Sequence, residues 1–259
     1  MIVARPRTQK LKFDPIAVTP AEADVAYYVP YNPNNEETPE VVQSPSGSNW
    51  FPLPEGRLSA FISGRPGAGK SYLAKEFISF LPDDSDILLF TALSEEDGNF
   101  DEFQDRLYKI RMEPDNLSRL TLDVIRQFAH NPILLFDDID MIRDKRVKEA
   151  LYKLMNDALA NGRGHVNHDG EGDIHVICTS HSANNYQSTK YMLENSEFVA
   201  IPPSGMPKAQ WDLIMKKIGV PDKLSNEAFR EGKRGSFRFI FVKQTAPMYM
   251  VYGNKITLI

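Results

Sequence analysis

The chain has 259 residues, 42% of them hydrophobic and 25% charged, enough for one full α/β core with an appendage and too little for two large domains. One cysteine excludes an internal disulfide, no run approaches the roughly 18 apolar residues of a membrane span, and Met1–Asp14 is basic without the apolar segment of a secretory leader. The net charge of −5 is uneven: residues 1–13 carry +4 and residues 205–259 carry +6, which leaves −15 between them. A basic C-terminal segment on an acidic body suits a polyanionic partner, and it suits a mixed, solvated surface equally well.

Residues 1–50 read as an extended arm. Pro6, Pro15, Pro20, Pro30, Pro33, Pro39 and Pro45 punctuate them, and Asn32–Asn35 and Ser44–Ser48 are rich in turn formers. Lys12-Phe13 and Tyr27-Tyr28-Val29 are the places for short edge strands, ordered by docking, in our reading onto another copy of the chain. No chemistry resides there. From residue 51 the sequence reads as a single α/β domain to residue 259.

Leu58–Ser63 is a short apolar strand, followed by Gly64-Arg65-Pro66-Gly67-Ala68-Gly69-Lys70-Ser71. This fits G-x-x-x-x-G-K-[ST], the phosphate-binding loop of nucleoside triphosphatases. Glycines allow the backbone to form a nest of N–H groups around a phosphate. Lys70 would reach the β- and γ-phosphates, and the Ser71 hydroxyl would hold Mg²⁺. Tyr72–Leu81 has helical spacing in Leu73, Phe77 and Phe80, and Pro82 helps to stop it. A strand before and a helix after are the context this loop requires, so the chain is expected to bind a nucleoside triphosphate.

Asp86–Thr91 is an apolar run fit for a buried parallel strand, Ser94–Asp105 is acidic and loop-like, and Leu120–Ala129 is a helix with Thr121 as cap and Leu122, Ile125 and Phe128 on its apolar face. In Pro132–Asp138, four apolar residues lead into two acids. The acids emerge at the C-terminal edge of a parallel sheet, where such folds bind ligands. Asp137 is the candidate Mg²⁺ ligand, and Asp138 the carboxylate that orients or deprotonates the attacking water. Arg143–Leu159 forms a helix with Val147, Leu151, Leu154 and Ala158 on one face, stopped at Asn161-Gly162. Arg163 follows in the loop Asn161–Asp173.

Ile174–Ser180 is a further apolar strand. In a P-loop sheet of the additional-strand (ASCE) type it would lie between the P-loop strand and the acid-bearing strand, with Thr179, Ser180 and His181 aimed at the γ-phosphate as sensors. His175, Cys178 and His181 do not make a metal set, because strand residues three apart face opposite sides; His165 and His168 alone are too few. Pro207–Ile218 reads as a helix burying Trp211, Ile214 and Ile218, and Arg238–Lys243 with Tyr249–Tyr252 as added C-terminal strands. The expected fold is therefore α/β, a P-loop NTPase with a mainly parallel central sheet, flanking helices and added strands.

Together, Gly64–Ser71, Phe136-Asp137-Asp138, Asn161-Gly162-Arg163 and Cys178-Thr179-Ser180-His181 resemble the FtsK–HerA superfamily, above all the genome-packaging ATPases of large DNA viruses, virophages and polinton-like elements. Ser188–Asn195 is similar to that family's T-[KR]-x-I-L-N-E segment with its last two residues reversed. Phe198–Gly205 is similar to its next strand and Ser-Gly turn, and Gly235–Val242 to its Ser-Arg-aromatic strand with Phe237 inserted. The resemblance implies a homo-oligomeric ring, pentamer or hexamer, that hydrolyses ATP with Mg²⁺ and translocates double-stranded DNA of any sequence into a capsid. It also implies docking at a capsid vertex or portal, no membrane partner, and a place in the host cytoplasm or viral factory rather than outside the cell. It implies an arginine supplied in trans to the neighbour's γ-phosphate, and Arg163 stands where the family has Gly-Arg-His, with Arg238 and Arg143 as competitors. DNA contacts would fall to a few cations among Lys208, Lys216, Lys217, Lys233 and Arg234, or to channel loops earlier in the chain. The alternatives are an AAA+ or helicase-type ATPase acting on nucleic acid, whose mark would be a C-terminal helical lid, a small-molecule kinase, and a nucleotide-dependent assembly switch.

Overall fold

The computed structural model describes residues 51, 52, 54, 56–92, 98–163, 173–182, 186–235, 237–246 and 248–259, together with four short strands nearer the N-terminus. The chain divides into two compact units, one of residues 56–197 and one that joins residues 1–55 to residues 198–259.

The N-terminal part of the second unit contributes β1 (Val3–Pro6), β2 (Pro15–Val18), β3 (Val25–Tyr28), β4 (Val41–Gln43) and β5 (Phe51–Pro52). Four of these pair antiparallel in the order β1-β3-β2-β5. Tyr27 and Tyr28 thus lie in a strand; Lys12-Phe13 lies outside the described residues.

The unit of residues 56–197 opens with β6 (Ser59–Ser63) and α1 (Lys70–Ser79). It continues with β7 (Ile87–Thr91), a 3-10 stretch at Asp101–Arg106, β8 (Leu107–Lys109), α2 (Pro114–Arg119) and α3 (Leu122–Phe128). Then come β9 (Ile133–Asp137), a 3-10 turn at Ile139–Met141, α4 (Lys145–Asn161), β10 (His175–Ser180) and α5 (Tyr186–Asn195). Its strands pair in parallel in the order β6-β10-β9-β7-β8. The expected insertion of β10 between the P-loop strand and the acid strand is observed: Cys178 is level with Phe61 on one side and with Phe136 on the other. β6, β9 and β10 are buried along their whole length, as parallel strands covered on both faces must be. Phe90 and Phe136 stack across β7 and β9 with centroids 4.8 Å apart.

Helix boundaries follow the caps. α1 starts two residues earlier than its apolar spacing suggests, because the P-loop lysine is itself the first helical residue. Thr121 caps α3 by accepting from Val124 N, and Asp144 caps α4 by accepting from Arg146 N and Val147 N at 2.8 and 3.1 Å. Val147, Leu151, Leu154 and Ala158 are buried as expected, whereas Phe128 is 57% exposed and adds nothing to the core.

The C-terminal part of the other unit holds β11 (Phe198–Ile201), α6 (Lys208–Lys217), α7 (Asp222–Lys233), β12 (Ile240–Lys243), β13 (Tyr249–Tyr252) and β14 (Lys255–Leu258). β11, β12, β13, β14 and β4 pair antiparallel in that order. The expected two added strands are a three-strand meander, because Gly253 at φ 58° turns the chain into β14. α7 has no counterpart in the sequence reading. Trp211 of α6 donates its indole N–H to Ser225 Oγ at 2.9 Å on α7, which ties the pair together. Among the described residues no helix is long and apolar enough to cross a membrane.

Candidate active site

The loop after β6 is shaped by its glycines. Gly67 and Gly69 have φ of 76° and 93°, a region that L side chains disfavour. Gly64 N donates to Ser180 O at 3.0 Å, which ties the start of the loop to the end of β10, and Ala68 N closes a turn onto Arg65 O. The first bond of α1 runs from Leu73 N to Gly69 O, and no side chain caps the helix, so the N–H groups of Lys70 and Ser71 face the loop without helical acceptors. Arg65, Pro66 and Gly67 are exposed, Ala68, Gly69 and Ser71 half-buried, and Gly64 and Lys70 buried. Backbone donors at a helix N-terminus with no acid in its first turn form an anion site matched to phosphate.

The two acids at the end of β9 meet this loop. Lys70 Nζ lies 3.3 Å from Asp138 Oδ1, with both side chains nearly buried. His181 Nε2 lies 3.0 Å from Asp138 Oδ2. Thr179 Oγ1 donates to Asp137 Oδ1 at 2.8 Å, stands 3.2 Å from Asp138 Oδ1, and accepts from Asp138 N at 2.9 Å. Asp138 itself adopts the left-handed backbone at φ 48°, and this hydroxyl, the Lys70 ammonium and the His181 ring hold it there. Ser180 Oγ and His181 N both donate to Asp140 Oδ2, at 3.1 and 3.2 Å, and Lys148 Nζ donates to Asp140 O at 2.9 Å. Lys70, Asp137, Asp138, Thr179, Ser180 and His181 therefore form one connected network. Asp140 organises the end of β10, and nothing in the sequence reading singled it out; the only available signal was the recurrence of Asp three residues after Asp137.

The hydroxyl of Ser71 and the carboxylate of Asp137 are hard oxygen donors, which suits Mg²⁺, and the Asp137 carboxylate is held in place by Thr179. Asp138, Asp140 and His181 also bring ligand atoms within 4.8 Å of one another, a set in which Asp138 is already paired with the Lys70 ammonium. His175 belongs to neither group. Its Nδ1 accepts from Leu58 N at 3.0 Å, and burial lowers its pKa to about 4, with the Arg57 cation adding to the effect against Asp173. Burial pushes the Cys178 thiol above its ordinary range, so it is an inert core residue. His165 and His168 lie outside the described residues.

Arg163 is exposed and stands apart from the network. Gly162 O accepts from Ile174 N at 2.8 Å, immediately before β10 begins, whereas Ser180 and His181 are at its far end. Six strand residues place Arg163 about 17–20 Å along the sheet from its own chain's P-loop, at the opposite edge. The half-buried root of this loop is Arg57: it donates to Ile174 O at 2.9 Å and to Ala158 O at 2.6 Å. Burial, and then the neighbouring Arg163 cation, lower the Arg57 pKa. The competitors Arg143 and Arg238 are also exposed.

A family model described as the ATPase family associated with various cellular activities (AAA) matches residues 60–196, more than half of the chain. The chain belongs to this family. The ATPase is 25% identical over 228 residues to uncharacterized protein V3 of the Sputnik virophage, across 82% of this chain and 85% of that protein, in keeping with the resemblance read from its motifs. Among solved structures it is similar to the genome-packaging NTPase B204 of Sulfolobus turreted icosahedral virus 2 in complex with AMP. The identity there is 18% and the TM-score 0.45, covering 74% of this chain and 96% of that one. It is also similar to the pCW3 conjugation coupling protein TcpA, at 12% identity and TM-score 0.48, covering 93% of this chain and 75% of that one. The matched segment of the ATPase contains every residue of the network around Asp138.

Proposed function

We propose that this ATPase is the motor of a viral genome-packaging ring: it hydrolyses ATP and drives double-stranded DNA, without regard to sequence, into a capsid. The observation that carries this reading is the placement of Arg163. It lies at the sheet edge opposite its own P-loop, which supports a role toward the nucleotide of a neighbouring subunit, as ring motors depend on such a trans arginine. The motif resemblance supplies the DNA-packaging context, and the virophage relative supports a viral one.

The backbone of Gly64–Gly69 would hold the phosphates, and Lys70 would turn from Asp138 to the γ-phosphate, releasing Asp138 Oδ1. Mg²⁺, held by Ser71 and Asp137, would neutralise charge on the phosphate oxygens. Asp138 would then accept a proton from the attacking water while the water oxygen bonds to the γ-phosphorus and the bond to ADP breaks. Ser180 and His181, fixed by Asp140, sense whether that phosphate is present. Arg163 of the adjacent subunit compensates charge as it develops.

The test is steady-state turnover with and without duplex DNA, with mass by light scattering. Turnover raised by DNA of any sequence in an assembled ring supports the motor; DNA-independent turnover by a monomer refutes it. Arg163→Ala should leave ATP binding intact and lower turnover at least about a hundredfold; near-normal turnover in the ring refutes the assignment. A second reading, strand separation by an AAA-type ring, has the helical pair α6–α7 in its favour, since the sequence led us to expect a single helix after β11 and α7 adds a second. A strand-separation assay distinguishes the two, because a packaging motor moves duplex without opening it.

A further inference from the structure

We infer that the solvent face of α7, with Lys223, Arg230, Lys233 and Arg234, is the surface that grips the phosphate backbone of duplex DNA; this rests on the packaging reading above. At about 100° per residue these four side chains fall within an arc of about 100°, and all four are exposed. Two of the helix's three acids are drawn to its flank: Lys255 Nζ lies 3.2 Å from Glu227 and 2.7 Å from Glu231, and Tyr252 Oη donates to Glu227; the third, Asp222, is exposed in the first turn. Among the described residues no carboxylate lies within ion-pair distance of Lys223, Arg230 or Arg234, and Lys233 rests over the Phe229 ring. A helix that is nearly neutral in composition therefore presents one cationic stripe.

The underside of α7 is built for close seating. Ser225, Ala228 and Gly232 are buried, and a side chain at Gly232 would collide with Pro203 and Phe237. Such a helix can bear load without shifting on its support. From Lys223 to Arg234 the stripe extends about 16 Å, or about five base steps of a DNA strand. Protein partners are usually anchored by large apolar or aromatic side chains at the centre of a contact, and none of the exposed large hydrophobic residues is on α7. The chemistry matches a polyanion read by charge alone. Among the earlier candidates, Lys208 is paired with Asp212, which leaves α7 as the stronger surface.

The experiment measures binding of a fluorescent 30-base-pair duplex to the full chain across a salt series. It compares the unaltered protein, the triple variant Lys223→Ala/Arg230→Ala/Arg234→Ala, and the α6 variant Lys216→Ala/Lys217→Ala. Alanine on an exposed helical face preserves the fold. The triple variant is expected to bind at least about tenfold more weakly for every sequence tried, with the log–log salt slope reduced by about 2.7 per engaged subunit. Its DNA-free ATP turnover should be unchanged. Equal affinity and slope in the triple variant overturn the inference while the motor reading stands, the more so if the α6 variant shows the loss. Absence of DNA binding by the unaltered chain overturns both.

Discussion

Replacing Thr179 with valine keeps the shape of a fully buried side chain and removes the one hydroxyl that serves both acids. Two costs follow. Asp137 loses a neutral donor to its carboxylate, worth about 1.5–3 kcal/mol, and Asp138 N is left buried without its acceptor, worth about 1–3 kcal/mol. Thr179→Val should thus destabilise by about 3–5 kcal/mol, a large part of the about 5–15 kcal/mol typical of a domain. Thr179→Ser keeps the oxygen, loses one methyl group, and should cost about 1 kcal/mol. Urea unfolding of the three proteins reports the difference as a shift in midpoint at constant slope. Turnover adds a second readout: with Asp138 no longer fixed, the valine variant should be slower by about a hundredfold, while serine stays near the unaltered rate. A valine variant within about 1 kcal/mol of the unaltered protein, with full turnover, would refute the view that this hydroxyl holds the acids.

Other expectations are independent of that network. Asp144→Ala removes the cap of α4 and should cost about 1 kcal/mol in the same unfolding assay, with no change in nucleotide affinity. Arg57→Met strips donors from Ala158 O and Ile174 O and should lower stability by about 2–4 kcal/mol, seen as a lower melting temperature. His175 has a folded pKa of about 4 against an ordinary 6.5, so the unfolded chain binds the extra proton between these values. Its contribution is full above pH 6.5 and is lost as the pH falls toward 4, by up to about 3 kcal/mol. His175→Asn retains an acceptor for Leu58 N without titrating, so the stability gap between it and the unaltered protein should change with pH over that window; a constant gap refutes the assignment.

The P-loop and the β9 acids were legible because each couples a strand, a turn and charged residues within a few positions, and the burial of β9 and β10 followed from their apolar runs. α7 was not legible: its buried face is Ser225, Ala228 and Gly232, which leave no apolar period to detect. β8 and α2 are too short to show one. Phe128 shows the reverse error, an apolar residue at helical spacing that the fold leaves in solvent. Within the site, Thr179, Ser180 and His181 could be located from the strand that carries them. Asp140 and Arg57 could not, since their side chains act on residues 40 or more positions away, and only the strand order brings those together.

The pairing of Ile174 N with Gly162 O, braced by one guanidinium from residue 57, separates the length of the intervening segment from the geometry of the sheet. A closed loop pays only about 0.6 kcal/mol for each doubling of its length, and here the closure is made by backbone groups and a side chain that all lie outside the segment. Relatives of this ATPase can therefore lengthen, shorten or exchange residues 164–172 at small thermodynamic cost. Variation in that one segment would alter the surface beside Arg163 while the strand carrying Thr179 and Ser180 stays in register.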